Sequence, residues 1–574
     1  MSVSGKGGFP FYAPGNRVRR MRVLGVNAVF HDPAVALVVD GAVVAAAEEE
    51  RFTRRKHGKV CVPFSTWELP EESASWALRF GGVAPSELDA IAYSYDPELA
   101  PPDGAELHEN EYEALRTYFV RRAPGFMAAA LPGLDRSKVR FVPHHVAHAA
   151  SAYLAGPYRD CAVMVMDGRG EQTSYLAGVV RGGELEVLHR VAIPDSLGLR
   201  YEELTMHVGF KRSSDEYKVM ALASYGKPRW LAEIREAMHA DGAGGFVARP
   251  IDLARFVPPR REGEEFSDGH ADLAASVQTA LQETILELAR GLYEETKMRA
   301  LVLAGGVALN VVANSYVAEK GPFEHVWVQP AAGDAGTALG AAMYVARAMG
   351  DDVRPMGSAA LGRGWSDAEI EAALDGANVY YTRPRDIAEA VADVIAQDGI
   401  VAWFQGRSEF GPRALGHRSL LANPRYADTL RRLNDVKGRE QFRPVAPMTL
   451  LEKAPEIFNG PFPSPYMLFV HTVKPGWEEK LRAVIHVDGT ARVQTVDRRE
   501  ERLVARMLDA VERKTGVPVV VNTSLNTAGR PMVDSPRDAL ECFGSAPVDA
   551  LAIGPFLLKR ETFARGSSSV SAVA

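Results

Sequence analysis

The first three-fifths of the chain carries two histidines and two aspartates whose types and positions suit a metal ion. His144 and His148 are four residues apart, so on a helix both imidazoles project from the same face. Asp167 and Asp334 each follow an apolar run and lie in a loop of small residues. This donor set favours iron, manganese or zinc over calcium. The sequence therefore predicts a metal site at these four residues, with capping or packing histidines as the alternative.

Three further polar residues are candidates for catalysis. His31 and Asp32 follow the first apolar run of the chain, and Asp215 opens the polar segment 215–218. Imidazole titrates near neutral pH, so His31 is suited to position or deprotonate an attacking hydroxyl. The acids at 215 and 216 are suited to orient a polycationic acceptor. The alternatives are a loop histidine bonded to the backbone and a solvated acidic loop.

The last third of the chain concentrates cations among glycines and prolines. Guanidinium groups bind phosphate through two parallel hydrogen bonds, and a lysine adds a point charge. Asn522 and Ser524 are suited to bind ribose hydroxyls or phosphate oxygens. The sequence predicts a nucleotide or acyl-phosphate pocket here, with ordinary surface charge as the alternative. Its predicted cationic residues are Arg413, Arg418, Lys437, Arg439, Arg443 and Arg492.

A structural repeat must position the first set of residues. Residues 21–51 contain three apolar runs, with Asp40 and Gly41 between the second and third as a hairpin turn. Residues 161–190 repeat this plan, with a turn at 181–183. In both copies the first strand ends in a polar loop, at 31–32 and at 167–170. If the two sheets face each other across a cleft, both loops lie at the same opening of that cleft. The alternative is that the two hairpin regions are unrelated.

Helical periodicity follows each copy, at 68–80 and at 271–297. An apolar strand at 300–304 then leads into a glycine loop with Gly305, Gly306 and Asn310, and a strand at 324–328 precedes a helix at 337–349. Glycine turns that open helices cradle phosphates well. Polar and turn residues at 350–361 predict a boundary. Beyond it we expect strands at 400–404, near 518 and near 550, helices at 387–397 and 537–543, and a frayed tail at 566–574.

Composition limits the class of protein. The 574 residues carry 66 basic and 73 acidic side chains, a net charge of −7, which argues against a general binder of nucleic acids. The three cysteines are far apart, which excludes a disulfide scaffold or a thiolate zinc finger and fits a reducing cytoplasm. Residues 1–20 contain no apolar run, so we expect no secretory leader, and no run approaches the about 20 apolar residues of a membrane helix. We therefore expect a soluble cytoplasmic protein without a membrane partner.

Taken in order, the motifs resemble those of the nodulation-type O-carbamoyltransferases. The likeness runs from residue 21 to about residue 560. It consists of the His144–His148 pair, MDGRGE at 166–171, EYKVMALASYG at 216–226, AGGVALN at 304–310, GDAGTALGAA at 333–342, FGPRALGHRS at 410–419, KGR at 437–439, FRPVAP at 442–447, DGTARVQ at 488–494 and NTSLN at 522–526.

The resemblance implies an α/β protein with two units. Residues 1–354 are expected to form a duplicated actin-like (ribonuclease H-like) ATPase-fold domain, and residues 355–574 a YrdC-like α/β domain. The second unit is expected to make carbamoyladenylate from ATP and carbamoyl phosphate. The first is expected to pass the carbamoyl group to a hydroxyl of a small molecule, an aminoglycoside such as tobramycin.

The resemblance also implies roles for residues and cofactors. The metal at the histidines and aspartates is expected to be Fe2+, with Mg2+ or Mn2+ as alternatives. Gly305, Gly306 and Asn310 match a nucleotide-contacting loop. The six cationic residues predicted in the last third of the chain, together with Asn522 and Ser524, match the ATP-binding pocket of that family. Association into an oligomer is left open.

Three other functions remain as alternatives. A tRNA-modifying carbamoyl-type transferase shares both units, but such enzymes have an acidic residue and a glycine between the paired histidines, where this chain has His145, Val146 and Ala147. An actin-like ATP-dependent regulatory protein has no use for the second cationic cluster. A sugar kinase explains neither the paired histidines nor the second unit.

Overall fold

A computed structural model describes residues 21–100 and 113–563 of the chain. The predicted frayed tail at 566–574 lies outside these residues. The described part contains two five-stranded sheets within residues 22–328 and a seven-stranded sheet within residues 401–559. A helix long and apolar enough to span a membrane is not found among the described residues.

The first sheet has the strand order β3-β2-β1-β4-β5. Strands β1 to β3 form an antiparallel meander, and β4 and β5 extend it in parallel on the other side of β1. Its strands are β1 (Arg22–Asn27), β2 (Ala34–Val39), β3 (Ala42–Glu48), β4 (Ala90–Tyr93) and β5 (Val139–Phe141). The helices that accompany this first sheet are α1 (Glu50–Thr53), α2 (Glu71–Gly81), α3 (Glu113–Ala130) and α4 (His144–Tyr153).

The second five-stranded sheet and its helices, within residues 161–348, repeat this topology. Its strands are β6 (Cys161–Met166), β7 (Thr173–Arg181), β8 (Glu184–Ala192), β9 (Met238–Ala240), β10 (Phe246–Ala248), β11 (Ala300–Ala304) and β12 (His325–Val328). Its helices are α5 (Leu197–His207), α6 (Glu216–Ala223), α7 (Leu231–Ala237), α8 (Asp268–Thr296), α9 (Val311–Lys320) and α10 (Ala335–Ala348). The sheet order is β8-β7-β6-β11-β12, again a meander followed by two parallel strands, and β9 and β10 pair separately. The predicted duplication of an α/β actin-like fold is confirmed.

The hairpin turn between β2 and β3 also agrees with the prediction. Asp40 and Gly41 have φ angles of 52° and 70°, the left-handed conformation that a two-residue hairpin turn requires. Small residues then bring two helices close together. A Cβ atom added to Gly340 of α10 would overlap the carbonyl oxygen of Ala147 in α4, and one added to Gly25 of β1 would overlap that of Ala338 in α10. Helices α4 and α10 therefore pack in close contact.

The last third of the described chain is built around a seven-stranded sheet of order β19-β15-β20-β14-β13-β21-β22. Its helices are α11 (Asp367–Gly376), α12 (Ile387–Ala396), α13 (Asp428–Lys437), α14 (Ala454–Ile457), α15 (Arg502–Thr515), α16 (Pro536–Ser545) and α17 (Arg560–Phe563). Its strands are β13 (Val401–Phe404), β14 (Arg418–Ala422), β15 (Ala446–Leu450), β16 (Phe458–Asn459), β17 (His471–Val473), β18 (Thr490–Ala491), β19 (Gln494–Val496), β20 (Val519–Ser524), β21 (Ala550–Ile553) and β22 (Phe556–Lys559). Strands β16, β17 and β18 make a small additional sheet. The boundary at residue 354 stays a prediction; it falls between α10 and α11.

Candidate active site

The four residues predicted to bind a metal come together in one buried cluster. His144 and His148 lie on the first turns of α4, Asp167 directly follows β6, and Asp334 lies at the start of α10. One ligand atom from each residue lies within 4.8 Å of the others. The close packing of α4 against α10 is what brings the histidines to Asp334.

The distances within this cluster suit a small divalent ion. The Nε2 atom of His144 lies 3.3 Å from an oxygen of Asp167 and 3.6 Å from one of Asp334, and His148 Nε2 lies 3.6 Å from both. Four tetrahedral ligands about 2.1 Å from an ion are roughly 3.4 Å apart. His148 Nε2 and Asp334 Oδ2 are buried, and the structure shows no hydrogen-bond partner for either. The residues present therefore fit a metal ion.

Neighbouring groups orient these ligands. His144 Nδ1 lies 3.1 Å from the carbonyl oxygen of Ser94, to which it donates, so its Nε2 faces the cluster as an acceptor. The main-chain N–H of Gly306 donates to Asp167 Oδ1 over 2.8 Å. Asp167 is thereby held with its other oxygen toward the histidines.

The electrostatics of the cluster favour one bound positive charge. Burial alone lowers the pKa of His144, but hydrogen bonds and charge from Asp167 and Asp334 outweigh this and raise it well above its ordinary value. The same contacts hold the pKa of Asp167 well below its usual range, although burial opposes this. A metal ion supplies the positive charge in place of the proton.

His145 is not part of this donor set. Its Nδ1 atom pairs with the hydroxyl of Thr173 at 2.7 Å, and its Nε2 lies 4.0 Å from Asp167. Burial, followed by the charge of His144, lowers the pKa of His145 to about 3. This residue is therefore neutral and lies beside the cluster.

His31 and Asp32 lie next to the metal cluster, as the repeat predicts. His31 Nε2 is 3.8 Å from Asp334 Oδ2, and His31 Nδ1 pairs with Asp32 at 3.0 Å. Burial by itself raises the pKa of Asp32, but His57 and His31 hold it well below its usual range. The charged Asp32 therefore orients His31 beside the cluster.

Asp215 lies near these residues but is otherwise engaged. Its carboxylate accepts the main-chain N–H of Lys211 and pairs with Lys218 at 3.2 Å. The segment after it is helix α6 rather than the solvated loop considered as an alternative. Glu216, the first residue of α6, accepts the main-chain N–H of Ser213 at 2.6 Å, and burial, followed by the charge of Glu202, raises its pKa to about 7. A catalytic role for Asp215 stays a prediction.

Four of the six predicted cations form a second cluster, which we call the arginine pocket. These residues are Arg413, Arg439, Arg443 and Arg492. Burial lowers the pKa of Arg413 to about 10 and that of Arg439 to about 9, and in both the charge of Arg443 adds to the effect. For Arg492 the pKa falls well below its ordinary value, through burial and then through the charges of Arg413, Arg439 and Arg443.

The arginine pocket lacks matching negative charge. Within residues 21–100 and 113–563, Arg443 alone of the four has a carboxylate within ion-pair distance, Glu440 at 3.4 Å. The Nε atoms of Arg413 and Arg492 are buried without a hydrogen-bond partner. Arg439 donates through Nε to Asn434 and through one Nη to Pro444, so the free donors belong to Arg413, Arg443 and Arg492. Half-buried cations that repel one another form a site for an anion.

Arg418 and Lys437 do not present free donors to this pocket. Arg418 is fully buried, and its Nη atoms donate to the carbonyl oxygens of residues 363, 405, 406 and 417. Lys437 donates to Ser524 and Asn526, so Ser524 is engaged as well. The amide nitrogen of Asn522 donates to Ala414 and Gln494. Because these donors bind the protein itself, a direct role in ATP binding stays a prediction for all four.

The glycine loop after β11 supports Asp167. Gly305 has φ 89°, and a Cβ atom there would overlap the carbonyl oxygen of Met166, so a glycine is required. Asn310 caps α9 through Ala313 and pairs with Gln278. Contact of Gly305, Gly306 and Asn310 with a nucleotide stays a prediction.

Residues 213–218 contact both sites, which the sequence analysis did not foresee. Tyr217 lies under the guanidinium of Arg443, 4.7 Å from ring centroid to carbon, and Lys218 pairs with Glu440 at 2.9 Å. Ser214 bonds to His57 at 2.8 Å, which in turn bonds to Asp32. The motif at 216–226 is the sequence signal that could have identified this segment. The segment contacts residues 440–443, which lie more than 200 positions away in the sequence.

Comparison with known proteins decides the family. Two family models, described as the carbamoyltransferase N-terminus and the carbamoyltransferase C-terminus, match residues 22–101 and 98–343, and residues 392–560. The chain belongs to the carbamoyltransferase family. The N-terminal carbamoyltransferase match contains the histidine–aspartate cluster, and the C-terminal match contains the arginine pocket.

Individual relatives agree with this assignment. The nodulation protein NolNO of Sinorhizobium fredii is 37% identical over 93% of this chain and 80% of its own length. The nodulation protein NolO of Bradyrhizobium diazoefficiens is 38% identical over 73% of this chain and 78% of its own. Among solved structures, HypF of T. kodakarensis matches 57% of this carbamoyltransferase and 48% of its own chain, with 16% identity and a TM-score of 0.36.

Proposed function

We propose that this carbamoyltransferase is an ATP-dependent O-carbamoyltransferase with two reaction sites. The arginine pocket of the C-terminal unit makes carbamoyladenylate, and the histidine–aspartate cluster is where the carbamoyl group passes to a hydroxyl. The observation that carries this proposal is the group of four half-buried arginines, which in the described residues have a single carboxylate, Glu440, within ion-pair distance. Such a pocket stabilises two phosphorylated substrates that otherwise repel each other.

The activation step has a simple balance. Water releases phosphate from carbamoyl phosphate, leaving carbamate. A carbamate oxygen then attacks the α-phosphorus of ATP, and the bond to pyrophosphate breaks. Arg413, Arg439, Arg443 and Arg492 neutralise the oxygens of both phosphorylated substrates, which is the main task of a protein in phosphoryl transfer. We infer that this unit is YrdC-like in this chemistry.

The transfer step uses the residues of the first cluster. His144, His148, Asp167 and Asp334 hold a divalent ion, for which we propose Fe2+; when bound, it supplies a Lewis acid beside the carbamoyl carbonyl. His31 orients the acceptor hydroxyl and receives its proton at Nε2. The hydroxyl oxygen bonds to the carbamoyl carbon, and AMP departs with the electron pair of the broken bond.

The surroundings of His31 support a cationic acceptor. Asp32 and Glu50 lie within reach of His57, and the charges of His31 and Glu202 both act on Glu216. Clustered carboxylates attract protonated amines. We therefore propose an aminoglycoside such as tobramycin as the acceptor, in the cytoplasm.

The proposed function is tested by mass spectrometry of the products. The protein is incubated with ATP, carbamoyl phosphate and a panel of aminoglycosides, with tRNA as a second class of acceptor. We expect one aminoglycoside to gain one carbamoyl group in step with release of AMP and pyrophosphate. Release of AMP that does not depend on carbamoyl phosphate, or carbamoylation of tRNA alone, contradicts the proposal.

His31→Asn separates the two half-reactions. We expect carbamoyl transfer to fall by about 100-fold or more, since a positioned general base contributes about 10²–10⁴, while pyrophosphate release stays unchanged. Pyrophosphate release and carbamoylated product are measured in parallel. Equal losses in both half-reactions would remove the role of His31 in transfer.

A further inference from the structure

The carboxylate of Asp32 holds two imidazoles at once. Its Oδ2 accepts from His31 Nδ1 at 3.0 Å, and its Oδ1 accepts from His57 Nδ1 at 2.9 Å. The other nitrogen of His57 pairs with the hydroxyl of Ser214 at 2.8 Å. A continuous chain of hydrogen bonds thus runs from Ser214, beside α6, to the edge of the histidine–aspartate cluster.

The direction of these bonds is determined by chemistry. A charged carboxylate only accepts, so Nδ1 carries the hydrogen in both imidazoles. The Nε2 atom of His57 then lies on the opposite side of the ring, where it pairs with the hydroxyl of Ser214. In His31 the same bond leaves Nε2 on the side of Asp334, 3.8 Å away.

The backbone around Asp32 is held in place for this task. Asp32 has φ 46°, a left-handed conformation that a non-glycine residue adopts only with local support. The buried side chain of Asn27 gives this support by donating to the carbonyl oxygens of His31 and Asp32 at 2.9 and 3.0 Å. The main-chain N–H of His57 donates to Glu50 at 2.7 Å. Both histidines therefore approach Asp32 from segments that are themselves anchored.

We propose that His57 and Ser214 are positioning residues for carbamoyl transfer, which act through Asp32 to keep His31 Nε2 directed at the acceptor hydroxyl. This inference rests on the proposed function. Asp32 alone can rotate about its χ angles, whereas a second imidazole on its free oxygen fixes the plane of the carboxylate. Ser214 fixes His57 in turn. Asp32, Glu50 and His57 also lie close enough together to hold a metal ion. They do not form a second metal site, because both nitrogens of His57 are already hydrogen-bonded.

The geometry makes a sharp distinction between two substitutions of His57. Asparagine places an N–H close to the position of Nδ1 and keeps the bond to Asp32, whereas glutamine reaches the position of Nε2 and keeps only the bond to Ser214. Outer-shell partners of this kind contribute about 10–100-fold to activity. We expect His57→Gln and His57→Phe to lower the turnover number of transfer about 10–100-fold, while His57→Asn stays within about threefold of the wild type.

The measurements separate positioning from folding and from binding. The KM for the acceptor, the metal content and acceptor-independent pyrophosphate release should match those of the wild type in every variant. Ser214→Ala should lower transfer about fivefold, the effect of one neutral hydrogen bond, and Ser214→Thr should restore it. His239→Gln, at an exposed histidine on β9, is the matched control.

Crystal structures of the His57→Phe and His57→Asn proteins give a readout that does not depend on the reaction. We expect His31 Nδ1 to leave Asp32 in the first and to keep its place in the second. An unmoved His31 in His57→Phe, or equal transfer by His57→Asn and His57→Gln, overturns the inference. If the wild-type protein carbamoylates no acceptor, the proposed function fails, while the position of His31 still decides the inference.

Discussion

Alanine in place of Arg443 is expected to lower carbamoyl-phosphate-dependent pyrophosphate release by at least about 100-fold. Arg443 lies over Tyr217, and Glu440 at 3.4 Å is its one ion-pair partner in the described residues, so most of its donors are free for phosphate. Two charge-assisted hydrogen bonds contribute roughly 3–6 kcal/mol together, and each 1.4 kcal/mol is a factor of ten. Pyrophosphate release with saturating ATP measures the loss.

Two further variants define the cause. Arg443→Lys keeps the charge without the planar fork and should lie between alanine and the wild type. Arg537→Ala removes an exposed arginine whose Nε pairs with Glu541 on the surface of α16, and it should leave activity unchanged. Pyrophosphate release at the wild-type rate in Arg443→Ala would exclude the arginine pocket as the site of activation.

His148→Ala is expected to empty the metal site and to abolish carbamoyl transfer while activation continues. His148 supplies one of four ligand atoms, and its imidazole is buried among Asp167 and Asp334 at 3.6 Å. Removal of one of the four ligands weakens the binding of the ion, and the cavity left by the imidazole disturbs the positions of the other three. Elemental analysis should show the metal content falling well below that of the wild type, with transfer reduced by more than about 100-fold.

The matched control for this experiment is His239→Ala, which removes an exposed histidine whose Nδ1 bonds to the carbonyl oxygen of Arg235. It should retain both metal and activity. Normal metal content in His148→Ala, confirmed on a folded protein, would rule out the cluster as the metal site. Loss of pyrophosphate release in the same variant would show that the two sites do not act separately.

The elements themselves could be predicted from local patterns. The period of apolar residues identified β1 to β3 and β6 to β8, and the Asp40–Gly41 turn follows from the few residues that tolerate a left-handed φ angle. The ends of α8 and α10 fell within a few residues of those observed. Paired histidines on one helical face could also be predicted, because the spacing of side chains along a helix depends on local geometry alone.

The long-range pairings of the C-terminal unit could not be predicted in this way. Its seven-stranded sheet brings β14 between β13 and β20, and β15 next to β19. The sequence shows Arg413, Arg418 and Lys437 as equivalent cations. In the structure Arg413 keeps a free donor, whereas Arg418 and Lys437 bind carbonyl and side-chain oxygens of the unit.

The sequence by itself determined the duplicated halves, the metal-binding types of residue and the excess of cations near the end of the chain, since each depends on residue type and short-range spacing. Only the tertiary structure decided that Ser214 and His57 reach Asp32, that Tyr217 lies against Arg443, and that four arginines form the pocket. These contacts join residues up to hundreds of positions apart. Their distances depend on how whole helices and sheets pack, which the local pattern of one chain does not encode.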